Sequence, residues 1–247
     1  MPKKPSRAKT GGGKGRADKP QMSLNTRLVL GFLAAMAIAL AIVFVPAGSW
    51  RFWQGWAFLA ALLIPVIFTF FYFYQHDPEF LERRLRTKEQ IKEQKLLLKW
   101  GKPLYLAAFL LPGFDYRFGW SRSLVGAVPL WLTALSLGMV VGSMVLFFWV
   151  FRVNRFASRT VQVEEGQTVI TTGPYSVVRH PLYAGAVVLM IFMPTALGSF
   201  VAWPAFLLLI PLYVLRLLNE EQVLNKELPG YSDYCLRTRF RLVPFVW

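Results

Sequence analysis

Two charged clusters sit at the borders of apolar runs in this 247-residue chain. The stretch GPYSVVRHPLYAG, residues 173–185, places Arg179 and His180 directly before an apolar run. At the end of the last apolar run, RLLNEEQVL puts Arg216 and Glu220 four residues apart, on one face of a helix. Both clusters have plain readings. An arginine at a lipid border can snorkel to headgroups, and a histidine there can cap the helix that follows. An i,i+4 Arg–Glu pair is routinely worth a few tenths of a kcal/mol. Yet an isolated charge in hydrocarbon is costly, and Arg216 lies inside an apolar run, which makes it a functional candidate. A guanidinium can grip a carboxylate through two parallel hydrogen bonds, and a tyrosine face attracts a cation. Arg, His, Tyr and Glu, contributed by two helices of one hairpin, are groups that bind and orient.

Other chemistries are poorly supplied. His76 and His180 are the only histidines, which excludes a zinc site with several His ligands. Cys235 is the only cysteine, so it forms no internal disulfide and no Cys-based metal site; it reads as a small unreactive side chain. The run GGGKG, residues 11–15, does not fit the phosphate-loop pattern, and no G-x-G-x-x-G occurs. The net charge of +15 would suggest nucleic acid in a soluble protein. In an apolar chain it reads better as loop lysine and arginine on the cytoplasmic side, facing anionic lipid.

The elements that must position these residues are membrane helices. The chain is 55% hydrophobic and 16% aromatic, and a span takes about 20 mostly apolar residues. Residues 1–22 are basic and rich in Gly and Pro, a disordered tail by composition. Spans are predicted over 28–45, from about Phe52 to Tyr74, more weakly from about Leu96 to Leu111, and over 128–151, 182–198 and 201–218. Trp50, Trp53 and Trp56 read as an interfacial aromatic belt. Residues 75–102 form a charged amphipathic connector, read as an interfacial helix, and PGFDYRFGWS reads as a turn. Residues 152–181 read as an ordered loop with room for a short strand. The expected fold is an all-α integral membrane protein with about five to six transmembrane helices. It ends in a helical hairpin with a cofactor pocket at its cytoplasmic mouth. The expected organisation is a tail (1–22), N-terminal transmembrane helices (23–151) and a C-terminal region (152–247) that carries both charged clusters. The tail carries eight basic side chains up to Arg27 against Asp18 alone, which puts the N-terminus in the cytoplasm. An even number of crossings then places 75–102, 152–181 and the C-terminus on the same side.

GPYSVVRHPLYAG resembles the G-x-Y-x-x-x-R-H-P-x-Y-x-G signature of the isoprenylcysteine carboxyl methyltransferase family. Arg216 and Glu220 resemble its R-x-x-x-E motif, and EEQVLNKELPGYSDYCLRTRFRLVPFVW resembles its C-terminal region. The likeness is strongest over residues 150–247; DPEFLERRLR and DYRFGWS upstream resemble a bacterial branch. R-H-P-x-Y alone is less specific, because sterol reductases and phospholipid methyltransferases carry similar patterns.

This resemblance implies a membrane methyltransferase using S-adenosylmethionine, in the bacterial inner membrane, with residues 152–247 as its catalytic region. It implies cofactor contacts at Gln167, Thr168, Val169, Ile170, Tyr175, His180, Pro181, Leu182, Tyr183 and Glu220. It implies a catalytic role for Arg216 at the substrate, and a supporting role for Arg179. No metal is implied. Partners would be membrane lipid and a lipophilic or prenylated substrate, not nucleic acid; oligomeric state stays open. The first half of the chain matches eukaryotic members poorly, so the acceptor stays open among a prenylated cysteine carboxylate, another isoprenoid acid, a phospholipid amine and a small thiol. Two further readings compete: an NADPH-dependent reductase of sterol-like lipids, and a non-catalytic membrane protein in which Arg216 and Glu220 form a mere ion pair.

Overall fold

The computed structural model describes residues 24–81, 92–157, 163 and 166–247. The basic tail and much of the charged connector lie outside the described residues. Among the described residues the structure is helical and holds no strand. In chain order the helices are α1 (Leu24–Ala47), α2 (Trp53–His76), α3 (Lys92–Phe118), α4 (Trp120–Leu124) and α5 (Leu130–Val153). A 3₁₀ turn (Gly173–Ser176) precedes α6 (Pro181–Ala196), α7 (Trp203–Leu207), α8 (Ile210–Glu227) and α9 (Tyr231–Arg237). The chain divides within α1 into two units, Met1–Ile38 and Ala39–Trp247. The described part of the first is the opening of α1; the packing and the site described below belong to the second.

Four helical stretches among the described residues are long and apolar enough to cross a membrane: Val29–Ala47, Trp53–His76, Leu130–Val153 and Trp203–Glu227. The protein is thus an all-α, multi-pass membrane protein. Two expected spans fall short of that standard. Helix α6 has 16 residues, and α3 is diluted by Lys92, Glu93, Lys95, Lys99 and Lys102. The last span is also less regular than expected. It breaks at residues 208–209, between α7 and α8, where Pro211 cannot donate the backbone hydrogen bond that would carry the helix through.

The expected turn at PGFDYRFGWS is a second difference. Helix α3 continues through Pro112 and Gly113 to Phe118. Gly113 is needed for close approach: a Cβ there would lie 2.9 Å from Pro46 Cγ and 3.0 Å from the Ala47 amide nitrogen. The residue types that signal a turn serve here to pack α3 on the end of α1.

Helices α5 and α6 form the main packing pair, with α2 laid against α5. Their core joins Val140 and Met144 to Leu189, Met190 and Met193, extended by Phe58, Leu59, Phe206 and Leu209. Such interfaces between membrane helices rest on small residues and occasional polar links. Both occur here. Ser136 and Thr195 share a buried 2.7 Å hydrogen bond. Gly185 faces Phe147 so closely that a Cβ would lie 2.6 Å from the ring. The far end of the α6–α8 hairpin turns at Gly198, with φ +71°, and is tied down by Asp115. That buried carboxylate accepts from the Ser121 amide at 2.7 Å and from the Ser121 hydroxyl. The same hydroxyl accepts from the Phe200 and Val201 amides at 2.9 and 3.1 Å.

Candidate functional site

At the opposite end of the hairpin, a short irregular stretch after the 3₁₀ turn leads into α6. Pro181 opens the helix, where its missing N–H and fixed φ cost nothing. The two residues before it are pinned by the C-terminal segment: the Arg179 amide donates to Phe240 O at 2.8 Å and the His180 amide to Arg241 O at 3.0 Å. His180 occupies the N-cap position yet makes no side-chain cap bond. Its ring is buried and turned toward α8, with Nε2 3.3 Å from Glu221 Oε1 and 3.5 Å from the Tyr231 hydroxyl. The capping role that the sequence allowed is therefore not the one adopted.

These elements enclose a cavity of about 360 Å³. Gln167, Thr168, Val169 and Ile170 form one wall; Tyr175, His180, Leu182 and Tyr183 form another; Arg216 and Glu220 project from α8. Phe147, Phe151 and Asn154 close the side toward α5. Of the twelve residues given a role from the sequence, Arg179 included, eleven meet on this cavity. Pro181 alone does not reach its wall and is buried at the start of α6.

Glu220 and Arg216 are bridged by α6. The Tyr183 hydroxyl donates to Glu220 Oε2 at 2.7 Å, and Arg216 interacts with the same hydroxyl. The Tyr183 ring meets the Tyr213 ring edge-on at 6.3 Å and the His180 ring at 5.8 Å. Cavity walls outside the spans are held by a second set of phenols. Asn154 Nδ2 donates to the Tyr175 hydroxyl at 2.8 Å, and the Tyr234 hydroxyl donates to Tyr175 O at 2.7 Å. Val169 packs on Leu228, Tyr231 and Tyr234, which anchors the segment before the motif. Burial pushes the phenols of Tyr175, Tyr231 and Tyr234 above the ordinary tyrosine range, so all three remain neutral near neutral pH.

Sequence reasoning missed the residue that organises this end. Glu221, next to the expected Glu220, is buried and stands behind the cavity. Its Oε1 lies 3.2 Å from Arg179 Nε as well as 3.3 Å from His180 Nε2. Its Oε2 accepts from Arg241 Nε at 2.7 Å. The Arg179 contact is an ion pair by distance, since its Nε lacks hydrogen-bond alignment. The doubled Glu in RLLNEEQ was the available signal: successive helical residues face about 100° apart, so one reaches the cavity and the other its back. Asn154, Tyr213 and Arg241 carried no comparable signal.

Residues 132–226 match the model of the isoprenylcysteine carboxyl methyltransferase family, as the signature residues suggested. The match runs from α5 through nearly all of α8, and so takes in both motifs and most of the cavity wall. Tyr231, Tyr234 and Arg241 lie beyond it. No curated protein matches the chain.

Proposed function

We propose that this protein is a membrane methyltransferase that moves a methyl group from S-adenosylmethionine to the carboxylate of a lipophilic acceptor of isoprenylcysteine type. One observation carries the reading: within residues that match a carboxyl methyltransferase family, Arg216, Glu220, Tyr183, His180 and the segment 167–170 converge on one cavity. The side chains present suit a cation that bears amino and hydroxyl groups. Among the described residues, the wall offers the carboxylate of Glu220, neutral phenols, and the rings of Phe147, Phe151 and Tyr213.

Gln167, Thr168, Val169, Ile170, Tyr175, His180, Leu182 and Tyr183 would hold the methyl donor, with Pro181 setting the start of α6 behind them. When bound, S-adenosylmethionine supplies a methyl carbon already made electrophilic by its sulfonium. Glu220 accepts hydrogen bonds from amino or hydroxyl groups, and Tyr183 fixes the direction of its Oε2. The aromatic faces favour a cation in the cavity. Arg216 grips the acceptor carboxylate, which is ionised at neutral pH given a reference pKa of about 4. No strong base is required, and the chain's contribution is positioning and exclusion of water. The cavity opens at the cytoplasmic ends of the helices, with both termini on that side, in a bacterial inner membrane.

Calorimetric titration of the purified protein with S-adenosylmethionine tests the donor. Folded protein that takes up no heat removes the proposal. Incubation of membranes with methyl-labelled donor tests the acceptor: alkali-labile label marks an ester, whereas stable label marks nitrogen or sulfur and overturns the carboxylate assignment.

A further inference from the structure

Resting on that reading of the cavity, we propose that Glu221 is a positioning residue that latches the C-terminal segment onto the entry of α6 and so holds His180 on the cavity wall. Glu221 is absent from that wall, but Arg179 and His180, which face its Oε1, are both on it. A carboxylate is buried stably only when its charge and lone pairs are met. Here each oxygen serves a different element: Oε1 the residues that enter α6, Oε2 Arg241 of the C-terminal segment. The two elements are also joined directly, by the Arg179 and His180 amides bonded to Phe240 O and Arg241 O.

Arg241 is itself set by a closed turn. The amides of Arg241, Leu242 and Val243 converge on Trp247 O at 2.9, 2.9 and 3.1 Å. Its guanidinium lies over the Trp247 ring, 5.2 Å from the centre. Phe245 adopts φ +65° to bring the chain round, a conformation uncommon for a bulky residue and held only where the surroundings determine it. The consequence for the cavity runs through the imidazole. A carboxylate only accepts, so a hydrogen bond to Glu221 Oε1 requires His180 Nε2 to be the donor, and the ring's orientation follows from Glu221.

The test uses the full chain with Glu221→Gln, Arg241→Gln, the double variant and Arg241→Lys. Affinity for S-adenosylmethionine is read by calorimetry, and exchange of the Arg179 and His180 amides by hydrogen–deuterium mass spectrometry. We expect each Gln variant to lose about tenfold in affinity and to exchange faster at residues 179–180. The double variant should lose no more than the worse single, because contacts within one network are not additive. Arg241→Lys, which keeps the charge, should recover part of the loss. If Glu221→Gln does not fold, Arg241→Lys and Arg241→Gln carry the test, at a side chain that is one-third exposed. With a wild type that binds, unchanged affinity in the Gln variants, losses without faster exchange, or additive losses in the double variant would each overturn the latch. A wild type that binds no S-adenosylmethionine is a different result: it overturns the reading of the cavity, and the positioning role with it.

Discussion

The two ends of the α6–α8 hairpin each bury a carboxylate, and they use it differently. At the turn end, among the described residues, Asp115 is met by the amide and hydroxyl of Ser121, and Ser121 passes the connection to the Phe200 and Val201 amides. At the mouth, Glu221 is met by Arg179, His180 and Arg241, and two of these line a cavity. Burial of an acid is common to both. What separates them is the company: neutral donors close a loop, whereas Arg179, His180 and Arg241 come from two elements, and the first two stand against an open space beside a second carboxylate, Glu220. A buried ionisable group near lipid thus earns a functional reading only when a cavity and convergent partners accompany it.

The comparison breaks first at the cavity itself. Arg216→Ala should cut turnover by about a hundredfold, the scale of losing the group that orients a reactant, while changing affinity for S-adenosylmethionine little. Glu220→Ala should do the reverse and weaken that affinity about tenfold or more, as expected for hydrogen bonds to a charged group. Methyl-transfer kinetics beside calorimetry separate the two. Equal losses in both quantities for both variants would merge the roles assigned here.

Gly185→Ala probes the mouth without touching a polar group. The added methyl would meet the Phe147 ring at 2.6 Å, and Phe147 lines the cavity. Overpacking of this kind costs about 1–3 kcal/mol. We expect a lower unfolding temperature together with weaker donor binding, because the displaced ring moves within the cavity wall. A stability loss with unaltered affinity would mean that the ring yields in another direction.

Much of this site was legible because its residues lie close in sequence. R-H-P-x-Y spans the entry and first residues of α6, R-x-x-x-E one turn of α8, and 3.6-residue periodicity alone aligns Arg216 with Glu220. Residues 167–170 came only through family resemblance, since nothing in QTVI signals a wall. Glu221 and Arg241 stayed hidden for a physical reason. Their partnership depends on residues 238–247 folding back over residues 179–180, a non-local pairing that no periodicity encodes. The fold shows the same division. Long apolar runs mark α1, α2 and α5 directly, but Pro112 and Gly113 signal a turn locally and serve helix packing instead, and the break before Pro211 reads as uninterrupted span in hydropathy.

At the turn end, Asp115→Asn should destabilise and leave chemistry intact. An amide can still accept from the Ser121 amide, but its NH₂ would face a Ser121 hydroxyl that already accepts from Phe200 and Val201. A group left unsatisfied in this way costs about 1–3 kcal/mol. Thermal unfolding in detergent should register the loss, and donor affinity measured well below the new midpoint should match wild type. Reduced affinity there would show that the two ends are coupled through α6 and that the contrast between them is not one of function.

The smallest effect is expected at Trp247. Removing its ring takes away one face of the Arg241 guanidinium but leaves the amides of Arg241, Leu242 and Val243 on the Trp247 carbonyl and the Arg241–Glu221 bond in place. A cation–π contact at a partly exposed site is worth about 0.5–1 kcal/mol. Trp247→Ala should therefore weaken donor binding by no more than about fivefold, less than Glu221→Gln, while amide exchange at residues 179–180 rises only slightly. A loss as large as that of Arg241→Gln would mean that the ring, and not the carboxylate, sets the arginine. The organising group at the mouth would then lie outside the helices altogether.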